Sequence, residues 1–154
     1  MSVFLADEQT ETLSLDALHE LAELILREEG YPEAAEVTVL FVDESEMSSY
    51  NERFLDRSGP TDVLAFPVEE LTPGSAPNVD PHGPPLLLGD VVIAPAYVRR
   101  QAEELGVSYE DEMSLMVTHG LLHLLGYDHE EDEDAEAMEA RERRLMSLVG
   151  RVRR

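Results

Sequence analysis

Apolar and polar residues follow two different patterns along the chain. Short runs rich in β-branched and other apolar residues predict strands. The four predicted strands cover residues 2–6, 36–43, 61–68 and 86–94. Elsewhere the apolar residues recur every three or four positions, which is the period of a helix with one face turned inward. The five predicted helices cover residues 14–29, 45–55, 95–105, 108–126 and 132–149.

Local signals at the ends of these segments support the boundaries. Ser14 and Ser108 stand where side-chain N-caps are favoured. Pro95 suits the first turn of a helix. Pro67 indicates that the third strand lies at an edge of the sheet or ends there. The proline-rich segment 69–85 is predicted to be a loop.

The chain shows no internal repeat and no linker, so we predict a single domain spanning residues 1–154. Its fold class is α+β, with a small mixed sheet of four strands packed against about five helices. In the short helix at 45–55, the spacing of Met47, Tyr50 and Phe54 predicts that all three side chains point inward.

The composition excludes several kinds of protein and site. No run of about 18 apolar residues exists, so no membrane span is expected. The N-terminal residues lack a basic region followed by an apolar core, so no signal peptide is expected. Cysteine is absent, which rules out disulfides, thiolate zinc sites and cysteine nucleophiles. A bacterial cytoplasmic protein fits these features best.

The net charge is strongly acidic. Eleven basic residues, all of them arginine, stand against 34 acidic residues and give a formal charge of −23. Such a field repels nucleic acid at long range. Six of the eleven arginines fall within residues 141–154. We interpret these six as a solvated helix face and a frayed tail rather than as an RNA contact.

The strongest chemical signal is the stretch HGLLHLLGYDH, residues 119–129. His119 and His123 lie one helical turn apart on the same face, so their imidazoles can converge on one ion. Gly126 can end the helix in a left-handed conformation and return His129 to the same point. Three imidazoles leave an open position on Zn²⁺ for water, which is the catalytic form of a zinc site. We therefore predict one Zn²⁺ per chain, with nickel or another divalent ion as the alternative.

The spacing of these histidines is that of the zinc ligands in metzincin proteases. Gly120, however, stands where those enzymes have their glutamate base, so peptide hydrolysis by their route is disfavoured. The glycine also leaves room for the metal or a substrate backbone. Asp128, beside His129, is a candidate for orienting an imidazole or accepting a proton, and equally a candidate for capping the next helix.

The motif HGLLHLLGYDH closely resembles the signature of the YbeY family of bacterial endoribonucleases. PTDVLAFP at 60–67 and LLGDVVIA at 87–94 are similar to the second and third motifs of that family, and all three occur in its order. The resemblance implies a small mixed sheet with helices around a metal held by His119, His123 and His129. It also implies cleavage of single-stranded RNA in the maturation of ribosomal RNA, including the 3′ end of the small-subunit RNA, and a part in ribosome quality control. Proteins of the small ribosomal subunit are then expected partners, while DNA and membranes are not.

Many members of the family carry an arginine five residues before the Pro-Thr pair, where this chain has Leu55. Arg57 and Arg53 flank that position, and Arg57 is our main candidate for positioning a phosphate, with a charge-assisted contact. The leading hypothesis is a zinc-dependent endoribonuclease. Two alternatives stay open, namely a ribosome-assembly factor in which the metal only staples the chain, and a metalloprotease.

Overall fold

Four strands form one sheet in the computed structural model, which describes residues 2–154. The strands are β1 (Ser2–Glu8), β2 (Ala35–Val42), β3 (Val63–Pro67) and β4 (Leu86–Ile93). Their order in the sheet is β1-β2-β4-β3; β1, β2 and β4 run parallel, and β3 pairs antiparallel with β4 at one edge. The predicted mixed sheet and the edge position of the strand that contains Pro67 are confirmed. Met1, the first residue of the predicted domain, lies outside the described residues.

Five helices complete the α+β fold, as predicted. They are α1 (Leu15–Glu28), α2 (Glu44–Leu55), α3 (Pro95–Leu105), α4 (Tyr109–Leu124) and α5 (Asp132–Ser147). Within residues 2–154, no helix is both long enough and apolar enough to cross a bilayer.

The two predicted serine caps have different outcomes. The hydroxyl of Ser108 accepts a hydrogen bond from the backbone N–H of Asp111 at 3.0 Å, so the predicted cap of α4 is confirmed. The side chain of Ser14 makes no capping hydrogen bond, and only its backbone carbonyl accepts from Leu18, at 3.0 Å. Ser14 has φ −89° and ψ 73°, which differs from the extended conformation in which a serine N-cap usually reaches the first turn.

The main core lies between one face of the sheet and the helices α1, α4 and α5. Its sheet side is formed by alternate residues of the central strands, including Val37, Val39 and Phe41 of β2. Because successive side chains of a strand point to opposite faces, Leu40 and Val42 face the second, smaller cluster on the other side. Helix α4 is buried along most of its length, so the segment that carries His119 and His123 is packed into the core.

Helix α2 covers the smaller cluster, and here one prediction is wrong. Met47 is fully buried and Tyr50 is half-buried, but Phe54 is 58% exposed. The ring of Phe54 lies against Phe66 of β3, with the ring centroids 5.3 Å apart. Since β3 is the edge strand, no further strand covers the last turn of α2, and Phe54 remains open to solvent.

Candidate metal centre

Three histidines converge at one point of the structure. His119 and His123 lie on consecutive turns of α4, and their Nε2 atoms are 3.1 Å apart. The ring of His129 lies 5.6 Å from that of His119 and 5.0 Å from that of His123, measured between centroids. One nitrogen from each ring can be chosen so that all three lie within 4.8 Å of one another. The convergence predicted from the spacing is therefore present, and the cluster can hold a metal ion.

The turn after α4 brings His129 back to the cluster. Gly126 has φ +102°, a conformation that side chains rarely adopt. A Cβ atom at this position would lie 2.1 Å from the carbonyl oxygen of Leu71. Both the backbone conformation and the close approach of the loop therefore require glycine here.

Tyr127 fixes this turn through both its backbone and its side chain. Its carbonyl accepts a hydrogen bond from Nδ1–H of His123 at 3.0 Å. Its hydroxyl donates to Glu29 at 3.0 Å, and Arg141 donates to the same carboxylate oxygen at 3.0 Å. Burial, followed by the charge of Glu29, raises the pKa of Tyr127 to about 12, so the hydroxyl stays protonated and keeps donating at neutral pH. The tyrosine thus ties the histidine turn to the end of α1.

The buried carboxylate of Glu142 holds the ring of His119. Nδ1–H of His119 donates to Oε2 of Glu142 at 2.7 Å, and the side chain of Glu142 is 1% exposed. Oε1 of the same carboxylate accepts from Nε of Arg153 at 3.0 Å. Burial acts to raise the pKa of Glu142, but the hydrogen bond from His119 and the hydrogen bond and charge of Arg153 outweigh it and hold the pKa below its ordinary value. Glu142 is therefore ionised at neutral pH and accepts from both neighbours.

These hydrogen bonds determine which nitrogen of His119 and His123 is free to bind a metal ion. Nδ1 of His119 faces a carboxylate and Nδ1 of His123 faces a carbonyl, so both nitrogens must carry the hydrogen. In the neutral rings Nε2 is then bare, and two lone pairs face each other across 3.1 Å, which is a repulsive arrangement rather than a hydrogen bond. A cation between the two nitrogens turns this repulsion into coordination. Burial, and then the neighbouring His119 and His129, lower the pKa of His123, which favours the neutral ring that a metal needs. The residues therefore fit a divalent ion.

The cluster opens into a cleft of about 720 Å³. All five residues of β3 line one wall of the cleft. This is possible because β3 is an edge strand, and within residues 2–154 no strand pairs with its outer side. Arg57, Arg153 and Arg154 line the same cleft. In a chain of charge −23, this cleft thus contains three arginines, of which Arg153 and Arg154 are paired with Glu142 and Glu112.

The other residues singled out from the sequence lie as follows. Arg57 is exposed and lines the cleft, as does Leu55. Asp128 is exposed and does not line the cleft, and its carboxylate accepts the backbone N–H of His129 at 2.7 Å. The structure thus brings the histidines and Arg57 to one cleft and leaves Asp128 outside its lining.

Gly120 has a role in packing besides the one that we expected. We interpreted it as leaving room for the metal or a substrate. A Cβ atom at this position would lie 2.5 Å from Cγ1 of Val91 and 3.2 Å from Cγ2 of Val63. Although Gly120 also lines the cleft, its missing side chain points into the sheet. The glycine therefore lets α4 approach β3 and β4 closely.

The sequence interpretation missed several charged residues of the site. The arginines at 153 and 154 are not part of a frayed tail, because they pair with Glu142 and with Glu112, whose side chains are both 1% exposed. A signal for Glu142 was present in the sequence. It falls in line with Met138 and Leu145 of α5, so a carboxylate stands on the buried stripe of an amphipathic helix.

Comparison with known proteins gives one consistent result. A family model described as Endoribonuclease YbeY matches residues 4–150. A protein named Endoribonuclease YbeY from Acidothermus cellulolyticus is 46% identical over 137 residues, covering 88% of this chain and 83% of that protein. One of the same name from Thermobifida fusca is 42% identical over 147 residues, covering 96% and 93%. The solution structure of TM1509 from Thermotoga maritima matches with a TM-score of 0.68 at 30% identity, covering 96% of this chain and 88% of that one.

Proposed function

The chain belongs to the YbeY family of endoribonucleases, and we propose that it is a metal-dependent endoribonuclease that cleaves single-stranded RNA and takes part in the maturation of ribosomal RNA. One observation carries this proposal beyond family membership. His119, His123 and His129 converge on a cleft that also receives Arg57. Ligands for an ion and a cation for a phosphate thus meet in one place.

We propose Zn²⁺ as the ion, one per chain, held by the three histidines; other divalent ions are compatible with the same ligands. When bound, such an ion supplies Lewis acidity toward phosphate oxygens and eases deprotonation of the attacking oxygen. Glu142 and the carbonyl of Tyr127 keep Nδ1 of His119 and His123 protonated, so that each ring presents its bare Nε2 to the ion.

Arg57 is our proposal for the residue that positions the scissile phosphate. It is exposed on the wall of the cleft, and its guanidinium can form two parallel hydrogen bonds with phosphate oxygens. For Asp128 we propose that Oδ1 holds the backbone of His129, while the carboxylate accepts a proton during the reaction. The assignment of Arg57 rests on its position in the cleft, whereas that of Asp128 rests on its chemistry and on its contact with the backbone of His129, outside the lining of the cleft.

We propose that the whole of residues 1–154 forms one catalytic domain acting in the bacterial cytoplasm, where ribosomal RNA is matured. The 3′ end of the small-subunit RNA is the proposed substrate, proteins of the small subunit are the proposed partners, and ribosome quality control is the proposed wider role. The net charge of −23 repels RNA at long range. Because exposed charges are screened within about 10 Å at 0.1 M salt, we propose that the strand is held by the arginines close to the cleft.

The test is cleavage of a 5′-labelled single-stranded RNA by the zinc-loaded protein under single-turnover conditions, beside a duplex of the same sequence and casein. His123→Ala should remove both the bound zinc and the cleavage. His82→Ala is the matched control, because it removes an exposed imidazole outside the cluster. Zinc content is measured by elemental analysis in each variant.

The possible outcomes separate the alternatives. Cleavage that is lost in His123→Ala and kept in His82→Ala supports the endoribonuclease. Tight zinc binding without RNA cleavage favours an assembly factor in which the ion has a structural role only and links α4 to the turn that follows it. Hydrolysis of casein favours a protease. The chemistry of the product ends identifies the nucleophile, since a 2′,3′-cyclic phosphate arises when the 2′-hydroxyl attacks.

A further inference from the structure

A cluster of three aromatic rings lies beside the cleft. Tyr50 and Phe54 of α2 are stacked, with their ring centroids 6.0 Å apart. Phe66 of β3 meets Phe54 edge to face at 5.3 Å. The guanidinium carbon of Arg53 lies 5.3 Å from the centroid of Phe54 and 5.5 Å from that of Tyr50. We call the three rings and Arg53 the aromatic platform.

A single exposed phenylalanine needs no special explanation, and Phe4 on β1 is an example at 54% exposure. The platform differs from Phe4 in two ways. Phe54 is 58% exposed although two other rings and a guanidinium are held against it. Phe66 also lines the cleft that contains the histidines, so the platform continues directly from the site. Phe4 lies on the strand at the opposite edge of the sheet.

We propose that the aromatic platform stacks unpaired bases of the RNA strand that enters the cleft, an inference that rests on the proposed function. Every base has a π-face, so an exposed aromatic ring binds bases with little regard to sequence. The stacked guanidinium of Arg53 adds a cation for the backbone or for a second base. On a surface of net charge −23, neutral rings are contacts that attract a strand without relying on the overall field.

The platform also favours single strands over duplexes. In a duplex the bases are stacked on each other and their faces are hidden, so they cannot reach Phe54. A strand with splayed bases can place one base on the platform while the neighbouring phosphate reaches Arg57, which follows the last turn of α2. The platform is therefore a specificity determinant separate from the metal ligands.

The experiment measures binding of the zinc-loaded protein to a fluorescein-labelled 2′-O-methyl RNA of twelve nucleotides by anisotropy, with the integrity of the strand checked on a gel. Phe54→Ala should weaken binding by about 5- to 150-fold, the range for loss of one base–aromatic stack. Phe54→Trp should keep the affinity, whereas Phe54→Leu, which is apolar but not aromatic, should lose it. Phe4→Ala is the matched control and should change the affinity less than twofold. Unmodified RNA, cleaved in a single turnover, should show an increased half-saturating concentration in Phe54→Ala with an unchanged maximal rate.

A second series replaces one base at a time by an abasic residue. At the stacked position the abasic strand should bind wild type and Phe54→Ala equally, while at other positions the difference should persist. Equal affinities of Phe54→Ala and Phe4→Ala for the intact strand would overturn the proposal, as would a wild-type protein that binds no single-stranded RNA. Binding that depends on Phe54 without cleavage of unmodified RNA would support the platform and refute the proposed enzyme. Cleavage of unmodified RNA with the same half-saturating concentration in wild type and Phe54→Ala would support the proposed enzyme and refute the platform.

Discussion

Replacing Glu142 by glutamine is expected to weaken zinc binding by about 10- to 100-fold, the range found when an outer partner of a metal-ligating histidine is lost. The carboxylate serves two donors at once, His119 at 2.7 Å and Arg153 at 3.0 Å. A glutamine has one carbonyl oxygen, so it can accept from one donor and must turn its amide hydrogens toward the other. A charge-assisted hydrogen bond contributes about 1.5–3 kcal/mol and a neutral one about 0.5–1.5 kcal/mol. The difference of about 1–1.5 kcal/mol corresponds to about 5- to 13-fold in affinity, and the misplaced amide adds to it.

The assay is competition for Zn²⁺ between the metal-free protein and a chromophoric chelator of known affinity. Glu139→Gln is the control, because it removes the same charge from the same helix at a side chain that is 51% exposed and 3.8 Å from Arg153. The control should retain its affinity within about twofold, since exposed ion pairs contribute little. Thermal midpoints of the metal-free forms separate lost affinity from lost fold. Equal zinc affinities of the two variants would refute the view that Glu142 prepares His119 for the ion.

Other predictions follow from the same packing and charges. Gly120→Ala should lower the free energy of unfolding of the metal-free protein by about 1–3 kcal/mol in denaturant titrations, because its Cβ overlaps Val91; adding Val91→Ala should restore part of the loss. The metal-free protein should lose stability as the pH falls below about 6.5: burial depresses the pKa of His123, so the unfolded chain takes up a proton that the folded chain does not. Thermal midpoints of His123→Gln should fall less over that pH range. Arg57→Ala should slow single-turnover RNA cleavage by about 10- to 150-fold, whereas Arg143→Ala, at an exposed position of α5, should leave the rate unchanged.

The fold could be predicted from the sequence because burial follows the period of the apolar residues. The strand at 36–43 and the helix at 95–105 were each placed within a residue of their observed ends. The inward position of Phe54 could not be judged in the same way. Its helical spacing is correct, but whether an inward-facing residue is covered depends on the width of the sheet beneath it. That width is set by the order of the strands, which no local pattern contains.

The histidine cluster was predictable because two of its members are one helical turn apart and the third follows a glycine. The charged residues around it come from distant parts of the chain. Glu142 and Arg153 reach His119 only after α5 has packed against α4. The close packing of Gly120 against β3 and β4 could not be predicted for a related reason, because the side from which the sheet approaches α4 is a tertiary property.

The contact between Gly126 and the carbonyl of Leu71 limits where the loop at 68–85 can accept an insertion. The side chain of Leu71 also packs against the main core, so this first part of the loop is constrained by both its backbone and its side chains. Farther along, residues 80–85 are exposed, and 80–83 form a local turn through Asp80. Each doubling of loop length costs only about 0.6 kcal/mol in closure entropy. Because residues 80–83 are exposed and loop closure costs little, a peptide tag inserted there is expected to leave the three histidines of the cluster in place.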